Sequence, residues 1–167
     1  MQVKIKKLRP DAVIPSYAIE GDGAMDLTAI DYEFIEGRHM YKTGLSVEIP
    51  EGYVGLIFPR SSICNYDLRL TNSVGIIDQN FRGEIKFFFE NDGIQGKDTR
   101  IEKQYFWSWE NNSAELQNVE VIYPKIYNVG DRIGQLLILP YPKYELIEVD
   151  ELSQTERGEG GFGSTGK

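Results

Sequence analysis

The chain of 167 residues is long enough for one domain with a single hydrophobic core and too short for two, and its 41% hydrophobic and 26% charged residues are typical of a globular protein. A net charge of −8 argues against direct binding of nucleic acid, and no apolar run approaches the ~18 residues that cross a membrane. The one cysteine, Cys64, excludes internal disulfides and cysteine-rich zinc sites and is typical of the reducing cytoplasm.

Short β-strands dominate the predicted secondary structure. Alternating, β-branched and aromatic residues predict strands over, in chain order, 3–5, 45–49, 53–58, 84–89, 119–123, 133–139 and 144–149. Turns rich in glycine, asparagine and aspartate separate them, and the one predicted helix is short, from Ser61 through Tyr66. His39 lies in a polar, turn-like segment and is expected at the surface. Many short strands joined by turns predict an all-β sandwich, jelly roll or barrel.

The segment from Gly93 to Asn118 interrupts this pattern. It carries charged residues, glycine and asparagine, and then a tight aromatic group of Tyr105, Phe106, Trp107 and Trp109. Strand-forming runs flank it, so it is predicted to be a long insertion in a hairpin, and such insertions are often functional. The aromatic side chains are suited either to pack back on the sandwich or to anchor a protein partner.

The last eleven residues, RGEGGFGSTGK, combine flexibility with groups that bind anions. Five glycines let backbone N–H groups approach a phosphate closely, Arg157 adds a forked donor, and Ser164 and Thr165 add hydroxyls. Phe162 has an aromatic face that can stack on a nucleobase. Since chain ends rich in glycine are usually mobile, a disordered tail over residues 157–167 is the alternative interpretation.

Two earlier segments carry candidate contacts for a charged ligand. Asp26 lies at the start of a predicted strand in GAMDLTA, although an aspartate near glycine more often forms a turn. In FPRSSIC, Arg60 precedes Ser61 and Ser62 at the start of the predicted helix, where backbone N–H groups and two hydroxyls favour an anion. A plain helix cap is the alternative for the serines.

Two further segments place polar residues within strand-like sequence. In NSVGIIDQNFRGE, which begins at Asn72, Gly75 belongs to a predicted hairpin whose backbone can read the edge of a base, and Asp78 follows an apolar pair. In GDRIGQLL, Gln135 is the polar residue of an otherwise apolar strand. Each of these segments is a weak signal alone.

Together with the tail, and in this order, the segments resemble the five sequence motifs of the trimeric dUTPases (dUTP diphosphatases), and the insertion resembles the phage-borne branch of that family. The resemblance spans residues 23–167 outside the insertion. It implies a single domain over residues 1–167 with a jelly-roll-like β-sandwich (β-clip) fold, a homotrimer, and a tail that closes over a site on a neighbouring subunit. It also implies the reaction of dUTP with water to give dUMP and pyrophosphate with Mg²⁺, in the host cytoplasm if a phage encodes the protein.

The resemblance assigns roles to individual residues. Asp78 matches the general base that activates the water attacking the α-phosphate, a role that a carboxylate within hydrogen-bond reach can fill. Asp26 matches the residue that holds hydrated Mg²⁺, an ion that keeps several waters and uses few protein carboxylates. The matches to substrate-binding residues are Arg60, Ser61, Ser62 and Gln135 for the phosphates, Asn72, Gly75 and Ile77 for uracil, and Arg157, Phe162, Gly163, Ser164 and Thr165 in the tail.

The chain departs from the family pattern at three positions. Phe81 stands where the family usually has tyrosine, so the ring beneath deoxyribose is kept and only a role of the phenol oxygen is lost. Cys64 replaces a small apolar residue and Met25 an aromatic one. Neither of these two changes affects a residue that matches the chemistry.

Two other functions fit the same residues. A dCTP deaminase shares the fold and the nucleotide site, but it would need a glutamate base near the nucleobase and would usually lack this tail, so Asp78, the turn at Arg82 and the tail favour hydrolysis. A nucleotide-sensing binding protein would use the site as a sensor and residues 93–118 to bind a partner. The phage-like branch includes proteins that bind DNA-binding repressors, so catalysis and this role can coexist in one chain.

Overall fold

The computed structural model of the protein describes residues 2–92, 98–108, 110 and 112–161. Within these residues the chain forms twelve β-strands and one 3₁₀ helix, which spans Ser61–Asn65 between β6 and β7. The strands are β1 (Lys4–Lys7), β2 (Met25–Thr28), β3 (Asp31–Ile35), β4 (Arg38–Lys42), β5 (Leu45–Glu48), β6 (Tyr53–Pro59), β7 (Leu68–Leu70), β8 (Gly75–Ile77), β9 (Lys86–Asn91), β10 (Asp98–Ser108), β11 (Ser113–Tyr123) and β12 (Arg132–Pro140). The helical part of the described chain is too short to cross a membrane.

Two four-stranded antiparallel sheets form the body of the subunit. One has the strand order β2-β12-β6-β8 and the other β3-β4-β9-β7. β1 pairs with β5, and β10 pairs with β11, in two further sheets. Side chains of both large sheets meet in one core cluster, to which the first sheet contributes Leu27 and Leu136 and the second Tyr41, Phe87 and Phe89. The predicted all-β, sandwich-type fold is confirmed.

Most of the sequence-predicted strands are present, but the strand predicted over residues 144–149 is wrong. The described chain has no regular structure there, and the side chain of Leu146 is 94% exposed. The alternating pattern is present in the sequence, but a strand also needs a neighbour to pair with. The sequence pattern missed the short strands β3, β4, β7 and β8, which have only three to five residues each.

The expectation that His39 lies at the surface is wrong. Its side chain, on β4, is only 4% exposed. Nδ1 lies 3.0 Å from the hydroxyl of Tyr32, and Nε2 lies 2.9 Å from Oδ1 of Asn91. Because an amide oxygen can only accept, Nε2 carries the proton and Nδ1 accepts from the tyrosine. The polar residues Glu36 and Gly37 form the exposed turn before β4, and they concealed the buried position that follows.

The aromatic segment is a long two-stranded hairpin. β10 and β11 pair from Asp98 opposite Tyr123 to Ser108 opposite Ser113. The strands flanking the segment were expected to pair with each other, but β9 pairs with β4 and β7 instead. The segment therefore forms a separate sheet of its own.

One face of this hairpin is apolar near its tip. Tyr105 is paired with Leu116, and Trp107 shares their face because side chains alternate along a strand. All three side chains are exposed, Tyr105 by 75%. Phe106, on the opposite face, is exposed as well. Each of these three rings is at least 42% exposed, and Trp109 lies outside the described residues.

Candidate active site

A carboxylate bonded by two guanidinium groups lies in the sheet β2-β12-β6-β8. Asp26, on β2, has 9% of its side chain exposed. Its Oδ1 accepts from Arg60 Nε at 3.0 Å and from Gln135 Nε2 at 3.4 Å, and its Oδ2 accepts from Arg132 Nη1 at 2.9 Å. Pairing with two cations offsets the cost of burying the carboxylate. The structure therefore brings together three sequence-predicted site residues, Asp26, Arg60 and Gln135.

A β-bulge in β12 brings two of these donors, Arg132 and Gln135, to one side of the sheet. The register of β12 against β2 shifts by one residue between Arg132 and Gly134. In a regular strand Arg132 and Gln135 would lie on opposite faces, since residues three apart point in opposite directions. With the bulge, Gln135 lies directly opposite Asp26, on the face that Arg132 shares.

Close packing around Gly134 keeps the bulged strand in place. A Cβ atom at this position would lie 2.2 Å from the ring of Phe87 and 2.9 Å from the carbonyl oxygen of Phe58. A larger residue would therefore have to push β12 away from the core and from β6. Gln135 is the next residue, so the packing at Gly134 also fixes where its amide lies.

The 3₁₀ helix begins directly after Arg60. Arg60 is the residue at the helix N-cap, with extended backbone angles and no capping hydrogen bond from its side chain. Ser61 is exposed and Ser62 half-buried in the first turn. The predicted helix is therefore present as a short 3₁₀ helix, and the two serines follow the cap residue instead of occupying the cap position.

The segment from Asn72 to Ile77 connects the two large sheets, so the predicted hairpin is wrong. β7 pairs with β9, whereas β8 pairs with β6. A Cβ at Gly75 would lie 2.3 Å from Cγ1 of Ile57 and 3.4 Å from the amide nitrogen of Asn72. Glycine is thus required for the close approach of β8 to β6. Gly75 and Ile77 are buried, and the turn that contains Asn72 is exposed.

Asp78 follows β8 and is exposed to solvent. It borders a cavity of about 380 Å³, whose lining includes Tyr53 and Tyr141. The carbonyl oxygen of Asp78 accepts from the N–H of Phe81 at 3.0 Å, which forms a tight turn. The Phe81 ring is 40% exposed and covers Gly83, where a Cβ would lie 2.6 Å from Cζ. The carboxylate and the ring are therefore held on one short turn.

Asp78 and the Asp26 cluster lie toward opposite ends of β6 within one subunit. Ile77 is opposite Gly55 near the start of β6, whereas Arg60 directly follows the strand. The five residue-to-residue steps from Gly55 to Arg60 correspond to about 17 Å of extended chain. A general base must lie within hydrogen-bond reach of the proton that it removes. Within one subunit, the predicted base Asp78 and the predicted phosphate contact Arg60 are therefore too far apart to act on the same phosphate group.

The tail is described as far as Gly161. Arg157 is exposed, and its Nε donates to the carbonyl oxygen of Gly160 at 2.8 Å in a local turn. The remaining predicted tail contacts, Phe162, Gly163, Ser164 and Thr165, lie outside the described residues.

Sequence reasoning missed Arg132 as a member of the Asp26 cluster. It lies three residues before Gln135 in GDRIGQLL, a spacing that places two side chains on opposite faces of a regular strand. The sequence did carry one signal, because Gly134 inside a strand pattern is typical of a bulge.

Two guanidinium groups around one carboxylate leave the cluster with an excess positive charge, although the whole chain is acidic. Fold and cluster together define a class, an all-β subunit with a local concentration of positive charge of the kind that suits a polyanionic ligand. A sequence profile of the dUTPase family matches residues 11–104 and 123–166. The chain belongs to the dUTPase family. The unmatched segment inside the chain, residues 105–122, lies between the start of β10 and the end of β11.

Curated relatives resemble the chain over nearly its full length. The deoxyuridine 5'-triphosphate nucleotidohydrolase of Hydrogenobaculum sp. (strain Y04AAS1) is 37% identical, and the match covers 99% of both chains. The enzyme of the same name from Nautilia profundicola is also 37% identical, with 100% of both chains covered.

Solved structures of phage dUTPases have the same fold. A variant of the Staphylococcus bacteriophage 80alpha dUTPase with dUpNHpp has a TM-score of 0.75 and is 30% identical over 99% of both chains. A variant of the dUTPase from phage phi11 of S. aureus, described with a structural Mg(II) ion, has a TM-score of 0.68 and 25% identity over 90% of this chain and 98% of that one. The predicted membership of the dUTPase family is confirmed, and the solved structures that resemble the chain include phage dUTPases.

Proposed function

We propose that this dUTPase cleaves dUTP to dUMP and pyrophosphate, with Asp78 as the general base. A water oxygen bonds to the α-phosphorus, the bond from that phosphorus to the oxygen bridging to the β-phosphate breaks, and Asp78 takes a proton from the water. The observation that carries the proposal is the cluster at Asp26, whose guanidinium and amide groups suit a polyphosphate. Family membership and the names of the curated relatives support dUTP as the substrate.

The phosphates are proposed to bind at Arg60, Ser61, Ser62 and Gln135. Arg60 bonds Asp26 through Nε, so its two terminal nitrogens are not used in that bond and suit a forked contact with phosphate oxygens. The serines follow Arg60 directly and add hydroxyl donors. Gln135 lies opposite Asp26 and can donate from the same side.

The residues present fit a magnesium ion held through water at Asp26. Among the described residues, no group of three or more His, Cys, Asp or Glu side chains is suited to hold a metal. Mg²⁺ commonly keeps several waters and binds one or two carboxylates together with substrate phosphates. A carboxylate has about four acceptor sites, and three donors reach Asp26, which leaves room for one metal-bound water. Bound there, the ion would neutralise charge on the phosphates.

The uracil and deoxyribose contacts are proposed to come from the segment around β8. Asn72 and the backbone at Gly75 and Ile77 suit the edge of a base, because glycine at position 75 leaves the backbone uncovered by a side chain. Phe81 is proposed to pack beneath deoxyribose. Its ring is partly exposed and supported from below by Gly83, as a stacking surface requires.

A complete site is proposed to form between subunits of a homotrimer. The separation of Asp78 from Arg60 along β6 supports this arrangement, since a neighbouring subunit can supply the missing half. The tail, with Arg157, Phe162, Gly163, Ser164 and Thr165, is proposed to close over the nucleotide on another subunit. For a phage-encoded chain, the proposed location is the host cytoplasm.

A second proposed role is binding of a protein partner, a DNA-binding repressor, through residues 93–118. The observation that favours it is the exposed apolar face of Tyr105, Trp107 and Leu116 on a hairpin that forms a two-stranded sheet of its own. Phage dUTPases similar to this chain are described as controlling transfer of virulence genes. The proposed role does not require loss of catalysis.

Turnover with dUTP, dCTP, dTTP and dATP tests the proposed reaction. Release of pyrophosphate from dUTP alone is expected, with dependence on added magnesium. Release of ammonia from dCTP would contradict it and would make the chain a deaminase of the same fold.

Asp78→Asn tests the proposed base. Turnover is expected to fall by ~10²–10⁴, the usual contribution of a positioned acid or base, because the amide cannot take the proton. Binding of dUpNHpp, measured by calorimetry, is expected to change little. Asp22→Asn replaces an aspartate elsewhere in the chain and serves as the control. Full turnover by Asp78→Asn would rule out this carboxylate as the base.

A further inference from the structure

Arg132 contacts the proposed magnesium carboxylate, and it is not among the residues proposed to contact the phosphates directly. Its Nη1 donates to Oδ2 of Asp26 at 2.9 Å, while half of its side chain remains exposed. The bulge in β12 is what places Arg132 and Gln135 on one face of the sheet. Bulges commonly re-aim side chains next to active sites.

The two oxygens of Asp26 have different partners. Oδ1 accepts from Arg60 and Gln135, and Oδ2 accepts from Arg132. Without Arg132, the carboxylate would be free to turn and pair with the Arg60 fork through both oxygens, the arrangement that a guanidinium and a carboxylate prefer. That pairing would occupy a terminal nitrogen of Arg60 and would change the direction in which Oδ2 presents its lone pairs.

Charge alone predicts the opposite effect on a metal ion. A guanidinium close to Asp26 repels Mg²⁺, so its removal would strengthen magnesium binding if only the summed charge mattered. Orientation and charge therefore make opposite predictions for the loss of Arg132, and an experiment can distinguish them.

We propose that Arg132 is a positioning residue that holds Oδ2 of Asp26 toward the hydrated Mg²⁺ and keeps the terminal nitrogens of Arg60 available to the triphosphate. The inference rests on the proposed function, because it concerns the same magnesium and phosphate site. Residues that orient a metal-binding group typically change metal affinity or activity by about 10- to 100-fold when they are replaced.

The test measures binding of dUpNHpp by calorimetry across a magnesium titration. Arg132→Met is expected to raise the magnesium concentration for half-maximal binding by about 10- to 100-fold. Arg132→Lys keeps the charge without the fork and is expected to recover part of this loss. Arg38→Met is the matched control, because Arg38 is a similarly exposed arginine paired with Glu36 on another sheet. Its titration is expected to match that of the wild type.

Three results would overturn the inference while leaving the proposed function intact. They are an unchanged magnesium titration for Arg132→Met, a lower magnesium requirement, and a loss of analogue binding that is equal at every magnesium concentration. The second would show that charge dominates, and the third would make Arg132 a direct phosphate contact. A flat titration in the wild type would instead contradict the magnesium role of Asp26, and the inference would fail with it. Melting temperatures and trimer mass of the variants separate all of these from unfolding.

Discussion

Two core tyrosines differ in what their hydroxyls contact. The hydroxyl of Tyr41 donates to the carbonyl oxygen of Tyr127 at 2.8 Å. The hydroxyl of Tyr127 is buried, and its contact with Ser62 in the described part of the chain does not have hydrogen-bond geometry. Burial raises the pKa of both groups, that of Tyr127 to about 12. The same chemical deletion at the two positions should therefore have different effects on stability.

Tyr41→Phe is expected to lower the free energy of unfolding by about 1–3 kcal/mol, since it leaves a buried carbonyl oxygen without its donor. Tyr127→Phe is expected to have little effect, because it removes a hydroxyl that has only a weak contact with Ser62. Urea unfolding of both variants at neutral pH measures the difference. Equal losses of unfolding free energy in the two variants would contradict the proposed difference in hydrogen bonding between the two hydroxyls.

Alkaline pH provides a second test of Tyr127. Its folded pKa of about 12 lies above the unfolded value of 10.0, so the folded state holds the proton more tightly. The resulting stability is complete below the unfolded pKa and is lost as pH rises toward the folded pKa. Over that window the free energy of unfolding is expected to fall more in the wild type than in Tyr127→Phe, by up to about 3 kcal/mol. Tyr105→Phe, at an exposed position, is the control and should follow the wild type.

At the scale of elements, period-two patterns predicted the long strands of the two sheets but not what each strand pairs with. Residues 144–149 have the alternation of a strand yet lie exposed in the described chain, because the pattern reports which side chains share a face and says nothing about a neighbour. In the inserted segment, by contrast, strands are present that the sequence pattern did not predict. Its polar and charged residues concealed eleven-residue strands whose pairing partner is the adjacent strand of the same hairpin.

Shortening the β10–β11 hairpin tests whether it is separate from catalysis. Residues 99–122 are replaced by Asn-Gly, a pair suited to a tight two-residue turn between Asp98 and Tyr123. This cut removes both strands together, whereas removal of residues 93–118 would leave the end of β11 without β10. Turnover of dUTP is expected to stay within about twofold, because loop length has a weak effect on stability and no matched site residue lies in the deletion.

The matched comparison for the shortened hairpin is Trp107→Ala in the full chain. If the hairpin binds a protein partner, both changes should weaken that binding while dUTP turnover is kept, since exposed aromatic side chains often anchor interfaces. A large fall in turnover or in melting temperature for the shortened chain would show that the hairpin supports the sandwich.

At the scale of the whole molecule, the motif segments predicted most members of the Asp26 cluster but not its geometry. Asp26, Arg60 and Gln135, all named from the sequence, lie together, whereas Arg132 was missed because its position depends on a bulge. The distance between Asp78 and the cluster also depends on pairing register between β6 and β8, which no local pattern specifies. The separation that supports the proposed division of the site between subunits is therefore visible only from the fold.

Mixed trimers test the divided site most directly. Asp78→Asn and Arg60→Met subunits, each nearly inactive in its own trimer, are combined in equal amounts and allowed to exchange. If Asp78 and Arg60 of one site come from different subunits, random assembly restores both residues in about a quarter of the sites, given three equivalent sites related by symmetry. Recovery of about a quarter of wild-type turnover is therefore predicted. Turnover no higher than that of the two separate variants, with exchange verified by mass, would contradict a site built between subunits.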